Sequence, residues 1–413
     1  MNKCTIESRR HMNEITSRTI QKTLKTLSGA LDWSEPELHV GEGTFGQLPR
    51  LLKEKQLKKV LIVTDKGIIH AGLLEGFIVN LDEQGITYQV FDAIEPNPTI
   101  EMCEEIAIHF NRLHADAIIG VGGGSVLDAA KAAGIVITQP EKPLSAFRGL
   151  LKVWKKTPYT VMVPTTAGTG SEGTIATVLS SSAGNEKYAI MDNVLTPDLA
   201  VLDSDLIQTL PKSLIAGPGM DALTHAVEAY IGQSNTAETR EYGKATVKLI
   251  SENLKKVYDG EADAEARENL LLASYYGGRA FTRAYVGYVH AISHALTAYY
   301  NLPHGSTNAT VLPHVLRLFG ENIADPLAEL AVEAGIENPE GSTVENAERF
   351  INWVDEMNES MGIANHITEI EEADLAGLTE HAAKEAHPLY PVPVIFTRSD
   401  IKEAYRIVKG EIV

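Results

Sequence analysis

Side chains in the second half of the chain have the types and spacing of a metal site. Asp221 and His225 are four residues apart, so on a helix they share one face and can converge on one point. One carboxylate with three neutral imidazoles suits Fe(II) or Zn(II) and is too rich in nitrogen for calcium or magnesium. A lone histidine is more often a buried residue with a satisfied hydrogen bond, but several candidates favour a metal. The spacing leaves open which three of the following histidines are ligands: His290, His294, His304 and His314.

Two glycine clusters compete for the phosphates of a nucleotide. The first, "VGEGTFGQL", has the spacing of a dinucleotide fingerprint but carries Glu42, whose charge would repel a pyrophosphate. The second, "IIGVGGGSVLDAAK", places Gly123, Gly124 and the uncharged Ser125 at the start of a predicted helix, where backbone N–H groups bind anions. We therefore predict that the second cluster binds phosphate, and that the first is a tight turn that needs positive φ angles.

Two further segments are predicted to lie at the same edge of a sheet. Asp65 closes the apolar run "VLIVTD", and a carboxylate there would bind the adenosine ribose hydroxyls and repel a 2′-phosphate, which favours NAD over NADP. An Asp at a strand end can instead cap the next helix. Thr165 and Thr166 follow another predicted strand and offer hydroxyl groups.

If a metal ion lies beside a nicotinamide, we expect the two groups to have different roles in the reaction. The cation would act as a Lewis acid toward an alcohol oxygen, and the adjacent carbon would release hydride to the nicotinamide ring. In the opposite direction the cation would polarise a carbonyl group.

The surrounding pattern predicts two domains that could position these groups. Short β-rich runs alternate with helical segments up to "DLAVLDSD", which is typical of a parallel sheet covered on both faces. After Pro211 the strand signals nearly vanish and successive helices follow. A short amphipathic helix is predicted from about Ile15 to Leu31, where it could pack on a partner subunit.

Composition excludes several classes of function. The 413 residues carry 36 basic and 55 acidic side chains, and the net charge of -19 disfavours binding to nucleic acid or anionic lipid. No apolar run is long enough for a bilayer span and the start lacks the apolar core of a signal peptide, which predicts a cytoplasmic protein without a membrane partner. Cys4 and Cys103, the only cysteines, fit no thiolate metal site and suit a reducing compartment.

Four motifs together resemble the iron-containing (group III) alcohol dehydrogenases. They are "GGGSVLDAAK", "PTTAGTGSE", "GMDALTHAVEAY" and "HAISHALTAYYNLPHGSTNATVLPHV". The resemblance runs from about Gly41 to Pro393 and implies a dehydroquinate synthase-like fold, with an α/β Rossmann-like NAD-binding domain, an all-α metal-binding domain and an active site in the cleft between them. The expected boundaries are a helical extension over 1–36, the NAD-binding domain over 37–210 and the metal domain over 211–413.

The resemblance also implies roles for individual residues. The metal ligands are expected to be Asp221, His225, His290 and His304, with His294 as a proton-relay residue near the nicotinamide and His314 structural. The positions that align with cofactor contacts are Asp65, Asn97, Gly123, Gly124, Ser125, Asp128, Thr165, Thr166 and Lys187. The expected activity is an NAD-dependent, Fe(II)-dependent alcohol dehydrogenase or aldehyde reductase, with Zn(II) as the alternative metal, a small primary alcohol or diol as substrate, and a homodimer or larger homo-oligomer as the assembly.

Several positions depart from the common pattern of that family. Ala176, Arg283 and Tyr285 stand where many relatives have Asn, Asn and Gly, and "HPLYPVPVIFTRSDI" differs from the usual segment that closes the substrate pocket. Arg283 could bind an anion or form a salt bridge. Two other functions remain in competition: a phosphate-binding lyase of the dehydroquinate synthase type with NAD and Zn(II), which would need several basic pocket residues, and a nucleotide and metal sensor without catalysis.

Overall fold

A computed structural model of the chain describes residues 3–28, 33–180 and 187–411. Side chains are described for 14–26, 33–180 and 188–411, so the side chain of Lys187 and the predicted helical residues 29–31 lie outside the described part. Contacts within the chain define two compact units: Asp32–Pro211 with Glu261–Gly278, and Met1–Leu31 with Lys212–Gly260 and Arg279–Val413.

The first unit is built on a parallel sheet of six strands. Its order is β1-β9-β6-β4-β2-β3, and every pair within it is parallel. A second sheet has the order β5-β8-β7, with β7 antiparallel to β8. The strands are β1 (Glu37–Val40), β2 (Lys59–Val63), β3 (Thr87–Phe91), β4 (Ala117–Gly122), β5 (Gly149–Leu150), β6 (Tyr159–Pro164), β7 (Ala176–Ser180), β8 (Lys187–Met191) and β9 (Leu199–Leu202).

Apolar side chains cover both faces of the six-stranded sheet. Leu61 and Ile118 belong to one buried cluster, whereas their neighbours Ile62 and Ile119 belong to another. This alternation follows from the pleat of a strand, which directs successive side chains to opposite faces. The helices of this unit are α2 (Thr44–Glu54), α3 (Lys66–His70), α4 (Glu75–Gln84), α5 (Ile100–Leu113) and α6 (Gly124–Thr138).

The second unit consists of helices in the part of the chain that the structure describes. Its helices are α1 (Lys3–Ser28), α7 (Ser213–Ile231), α8 (Ala237–Asp259), the end of α9 (Ala264–Ala284), α10 (Tyr288–Tyr300), α11 (His304–Phe319), α12 (Ala324–Glu333), α13 (Thr343–Ser360), α14 (Leu375–Ala386) and α15 (Arg398–Lys409). Helix α9 begins in the first unit and ends in the second. Together the two units confirm the predicted fold class, a parallel α/β sheet domain followed by a helical domain.

The central helix of the second unit is α7, which is buried from Ile215 to Ile231 except at Pro218. A helix that is buried on all sides is typical of a protein core. Helix α11 approaches α7 at two glycines, since a Cβ atom on Gly305 would lie 2.5 Å from the carbonyl oxygen of Gly217. Any larger residue at Gly305 would therefore push the start of α11 away from α7.

The predicted N-terminal helix exists and begins earlier than expected, at Lys3, and its described residues extend to Ser28. Residues Glu261–Gly278 group with the sheet although they follow the predicted boundary at 210/211, so that boundary stays a prediction. Among the described residues, no helix is both long and apolar enough to cross a bilayer.

Candidate metal and dinucleotide sites

Three helices bring the predicted metal ligands together. Helix α7 carries Asp221 and His225, α10 carries His290, and α11 begins with His304. Asp221, His290 and His304 each have one possible ligand atom that lies within 4.8 Å of the other two. Among the described residues, these three form a group that could hold a metal ion.

The separations within this group fit a transition metal. Asp221 Oδ1 lies 3.8 Å from His290 Nε2 and 3.7 Å from His304 Nε2. Ligand atoms bound at 2.0–2.2 Å in a tetrahedral arrangement are about 3.3–3.6 Å apart, so a small inward movement would close the set around one cation. Because Asp221 and His290 are buried, a cation would also neutralise a carboxylate shielded from water.

His225 lies beside this group in a stack of rings. Its imidazole is 4.7 Å from that of His290 and 4.3 Å from the phenyl ring of Phe281, both centre to centre and nearly parallel. The nitrogens of His225 are not part of the three-residue group. His225 thus remains a predicted fourth ligand, adjacent to the other three and held between two rings.

Glu228 orients His290, and the sequence analysis missed it. Its Oε2 atom accepts a hydrogen bond from Nδ1 of His290 at 2.6 Å, while its Oε1 atom accepts from the backbone N–H of Val289 at 2.7 Å. The proton on Nδ1 leaves the lone pair of Nε2 directed at Asp221, as a metal ligand requires. The signal was present in the sequence, since Asp221, His225 and Glu228 follow the i, i+4, i+7 spacing of one helix face.

Burial controls the protonation of this pair. It raises the pKa of Glu228 to about 7, against the lowering effect of backbone hydrogen bonds at 287, 289 and 290. It also lowers the pKa of His290 well below the usual 6.5, and the neighbouring histidines add to this effect. His290 is therefore a neutral imidazole near pH 7, which is the form that binds metals.

Asn308 lies at the centre of the ligand atoms. Its Nδ2 is 2.7 Å from Asp221 Oδ1, 3.1 Å from His290 Nε2 and 3.2 Å from His304 Nε2. The side chain is fully buried, one helical turn after His304. Its amide N–H group thus supplies partial positive charge at the point toward which the ligands converge.

His294 is held by a second carboxylate, that of the partly buried Glu385. Its Nδ1 is 2.6 Å from Glu385 Oε1, which also accepts the Tyr390 hydroxyl at 2.9 Å. Burial opposes the charge of Glu385, but His294, Tyr390 and His381 outweigh it and lower its pKa, so Nδ1 of His294 donates to a carboxylate. The unprotonated nitrogen of the ring is then Nε2, and the ring stacks on His304 with 5.1 Å between the ring centres.

His314 stands apart from the metal group. Its Nε2 atom hydrogen bonds to the carbonyl of Asn365 at 2.8 Å, and its ring stacks on His366. Among the four histidines left open by spacing, the three-residue group contains His290 and His304.

The second glycine cluster and the threonine loop lie side by side in the first unit. Helix α6 begins at Gly124, directly after β4, and the N–H of Thr165 donates to the carbonyl of Gly122 at 3.0 Å. A Cβ atom on Gly124 would lie 2.6 Å from the Cγ2 atom of Thr169, so this position requires glycine. The first N–H groups of a helix have no intrahelical acceptor, which leaves those at the start of α6 available to an anion.

Asp128 and Lys131 connect α6 to the threonine loop. Asp128 accepts hydrogen bonds from the Ser171 hydroxyl at 2.6 Å and from the N–H of Val178 at 2.9 Å. The buried Lys131 ammonium donates to the carbonyl of Ser171 at 2.8 Å and the hydroxyl of Thr174 at 3.0 Å. Burial lowers the pKa of Lys131 to about 8 and raises that of the neighbouring Glu172 to about 7. Both oxygens of Asp128 thus have protein partners, and its predicted contact with a cofactor stays a prediction.

The other predicted cofactor residues occupy loops of the first unit. Asp65 follows β2 and caps α3, because its Oδ1 atom accepts the N–H of Ile68 at 3.1 Å. Asn97 is exposed in the loop before α5, with a left-handed backbone at φ 61°. The backbone of Lys187 begins β8.

The first glycine cluster is a turn closed by the protein itself. Gly41 and Gly43 have φ angles of 136° and 73°. The carboxylate of Asp203 accepts the N–H of Gly43 at 3.0 Å and the N–H of Phe45 at 2.8 Å. Two N–H groups at the start of α2 therefore already have a carboxylate acceptor within the protein, in keeping with the prediction of a structural turn.

Two of the unusual positions also have clear structural roles. Arg283 forms an ion pair with Glu238 at 2.7 Å, the salt-bridge alternative for this residue. Tyr285 has a left-handed backbone at φ 65°, which is costly for a residue with a Cβ atom and explains why glycine suits the position.

Comparison with known proteins yields consistent matches across both units. The family described as "Iron-containing alcohol dehydrogenase" matches residues 36–204, and "Fe-containing alcohol dehydrogenase family, C-terminal" matches residues 215–408. The chain is 37% identical to 1,3-propanediol dehydrogenase of Citrobacter freundii over 84% of this chain and 91% of that protein. It is 35% identical to NAD-dependent methanol dehydrogenase of Bacillus methanolicus over 85% and 92%, respectively. The solved alcohol dehydrogenase from Oenococcus oeni superposes with a TM-score of 0.88 at 30% identity, covering 92% of this chain and 100% of that one.

Proposed function

Because the chain belongs to the family of iron-containing alcohol dehydrogenases, we propose that it transfers hydride between a small primary alcohol or diol and NAD, with Fe(II) as the bound metal ion. The protein is an oxidoreductase of the alcohol dehydrogenase type, as its relatives are. The coenzyme, the metal and the substrate size are the parts that we propose.

The observation that carries this proposal is the convergence of Asp221, His290 and His304 on one point. We propose that these three, with His225, hold one divalent ion. Oxygen and imidazole donors accept both Fe(II) and Zn(II), and the family description favours iron. A bound divalent cation supplies Lewis acidity toward an alcohol or carbonyl oxygen, and bound NAD accepts the hydride.

His294 is proposed to move the proton of the alcohol. Glu385 fixes its Nδ1 as a donor, which leaves Nε2 as the basic atom. The side chain is partly exposed, so a proton taken up at Nε2 can pass to solvent. Glu385 would stabilise the imidazolium formed in that step through a charge-assisted hydrogen bond.

The coenzyme is proposed to bind in the first unit. The start of α6, at Gly123, Gly124 and Ser125, would bind the pyrophosphate through backbone N–H groups. Thr165 and Thr166 lie beside it, and Asp65 would accept hydrogen bonds from the adenosine ribose while it continues to cap α3. The NAD dependence in the name of the methanol dehydrogenase relative supports this choice of coenzyme. Asn97, Asp128 and Lys187 are retained as further proposed contacts.

The test is a spectrophotometric screen of anaerobically purified protein. Ethanol, 1-propanol, 1,2-propanediol and 1,3-propanediol would each be tested with NAD, after loading with Fe(II) or Zn(II), by following NADH absorbance. We expect NADH to form with at least one short alcohol and more rapidly with Fe(II). No NADH with any substrate and either metal would contradict the proposal. Cytoplasmic localisation and homo-oligomerisation remain predictions from the sequence.

A further inference from the structure

The segment 388–393 is rich in proline and poor in hydrogen-bond donors. Its sequence is "PLYPVP", so half of its residues lack a backbone N–H and it cannot form a regular helix or strand. Its carbonyl groups nevertheless need donors if they are to be removed from water. The N–H of Gln233 binds the carbonyl of Pro391 at 2.6 Å, and four other carbonyls are bound from one distant helix.

That helix is α1, which supplies donors from two side chains. The Arg18 guanidinium donates to the carbonyls of Val392 at 2.6 Å and Pro393 at 2.7 Å. The Gln21 amide donates to the carbonyls of Tyr390 at 2.7 Å and Pro388 at 3.2 Å.

The two donors also support each other. Arg18 hydrogen bonds to Gln21 at 3.1 Å, and Gln21 is 95% buried, with 5% of its surface exposed. This face of α1 therefore packs against residues 388–393 through several hydrogen bonds, one of whose donors is buried. It lies before residue 36, where the match to the family begins, whereas the segment it binds lies within the match over residues 215–408.

The segment 388–393 is connected to His294 through hydrogen bonds of Tyr390 and Glu385. The carbonyl of Tyr390 is held by Gln21, while its hydroxyl donates to Glu385 Oε1 at 2.9 Å. The same oxygen lies 2.6 Å from Nδ1 of His294. Movement of 388–393 away from α1 would withdraw the Tyr390 hydroxyl, and Glu385 would then be free to rotate.

We propose that Arg18 and Gln21 are positioning residues: by binding the carbonyls of 388–393 they keep the Tyr390 hydroxyl on Glu385 and so fix the ring of His294 for proton transfer. The part concerning proton transfer rests on the proposed function. The role of Arg18 and Gln21 in keeping the Tyr390 hydroxyl on Glu385 does not depend on the proposed function, because it concerns the structure alone.

The experiment compares Arg18→Met and Gln21→Leu with Lys22→Met in the full-length, metal-loaded protein. The first two replacements remove the donors and leave shorter apolar side chains, whereas Lys22 is exposed on the same helix and its replacement controls for loss of a positive charge. Hydrogen bonds of this kind are worth a factor of about ten in an equilibrium, so we expect kcat to fall about tenfold for Arg18→Met, with the KM for NAD unchanged. Lys22→Met should retain the wild-type kcat.

A double-mutant cycle with Tyr390→Phe separates positioning from general loss of stability. If Arg18 acts through Tyr390, Arg18→Met should lower kcat by less than about twofold in the Tyr390→Phe background. An equal fall in both backgrounds, or an unchanged kcat in Arg18→Met and Gln21→Leu, would overturn the proposal. If Arg18→Met fails to fold, Gln21→Leu replaces it in the cycle.

A crystal structure of Arg18→Met decides the matter independently of activity. We expect the Tyr390 hydroxyl to have left Glu385. If it remains at hydrogen-bond distance, the positioning role is wrong even when the enzyme is active. If instead the wild-type protein reduces no NAD with any alcohol, the proposed function fails, while the structural result still shows whether α1 holds Tyr390.

Discussion

Replacing Glu228 by Gln should weaken metal binding through the tautomer of His290. The carboxylate accepts two hydrogen bonds, from the N–H of Val289 and from Nδ1 of His290. A glutamine of the same shape has one oxygen and one NH2 group, so it can accept only one of them. The backbone N–H of Val289 cannot change its role, whereas the imidazole can move its proton from Nδ1 to Nε2. The proton would then be on the nitrogen proposed to bind the metal.

The size of this effect follows from the burial of the pair. His290 and Glu228 have 3% and 2% of their side-chain surfaces exposed, so water cannot replace the lost acceptor. Loss of a hydrogen-bond partner behind a metal ligand typically reduces metal affinity by 10- to 100-fold, which corresponds to about 1.4–2.8 kcal/mol. An unsatisfied buried donor costs about 1–3 kcal/mol, in agreement with that range.

The assay is competition for Fe(II) or Zn(II) with a chelator of known affinity. Glu329→Gln is the matched control, because Glu329 accepts hydrogen bonds from Tyr230 and Arg240 within the same unit but has no contact with the ligand group. We expect the Glu228→Gln variant to fold and to bind metal at least about tenfold more weakly than the control. Metal affinities within about twofold of each other would refute the role given to Glu228.

Three further predictions concern other parts of the two units. Asp65→Ser keeps a capping hydroxyl for α3 but removes the charge that would repel a 2′-phosphate. The ratio of kcat/KM for NADP to kcat/KM for NAD should therefore rise at least about tenfold. An unchanged ratio would show that Asp65 does not have the proposed role. Burial raises the pKa of Glu172 from 4.5 to about 7, so the folded state binds a proton that the unfolded state has lost, and the contribution of this group to the free energy of unfolding should fall as pH rises from 4.5 to 7. The free energy of unfolding of Glu172→Gln, measured by chemical unfolding, should therefore rise by up to about 3 kcal/mol relative to that of the wild type between pH 5 and pH 8. An equal difference between the two proteins at both pH values would contradict this. His225→Ala should abolish alcohol oxidation and leave NADH binding, measured by fluorescence titration, within about twofold, whereas equal loss of both would mean that the two functions are not separable.

The sequence predicts the helical part of the metal site because that information is local. Asp221 and His225 lie four residues apart on one helix, and that spacing alone places both on the same face. Strand alternation likewise predicts the parallel sheet, and the uncharged second glycine cluster does begin a helix at the end of a strand. In each case a few neighbouring residues determine the geometry.

The remaining features depend on contacts between residues far apart in the chain. Asp203 binds the first glycine turn from 160 residues away, and Glu385 binds His294 from 91 residues away. No spacing rule connects such pairs. The first glycine cluster therefore matches a phosphate-binding pattern, and only the fold reveals that Asp203 already binds its N–H groups.

We propose that one divalent cation, bound by Asp221, His225, His290 and His304, is required for alcohol oxidation with NAD. The most direct test removes metal from the wild-type protein with a chelator, restores it with one equivalent of Fe(II), and follows NADH formation from 1,3-propanediol beside metal content. Activity should vanish with the metal, return at one ion per chain, and fail to return in His290→Ala. Activity that persists in the metal-free protein, or that returns equally in His290→Ala, would contradict the claim.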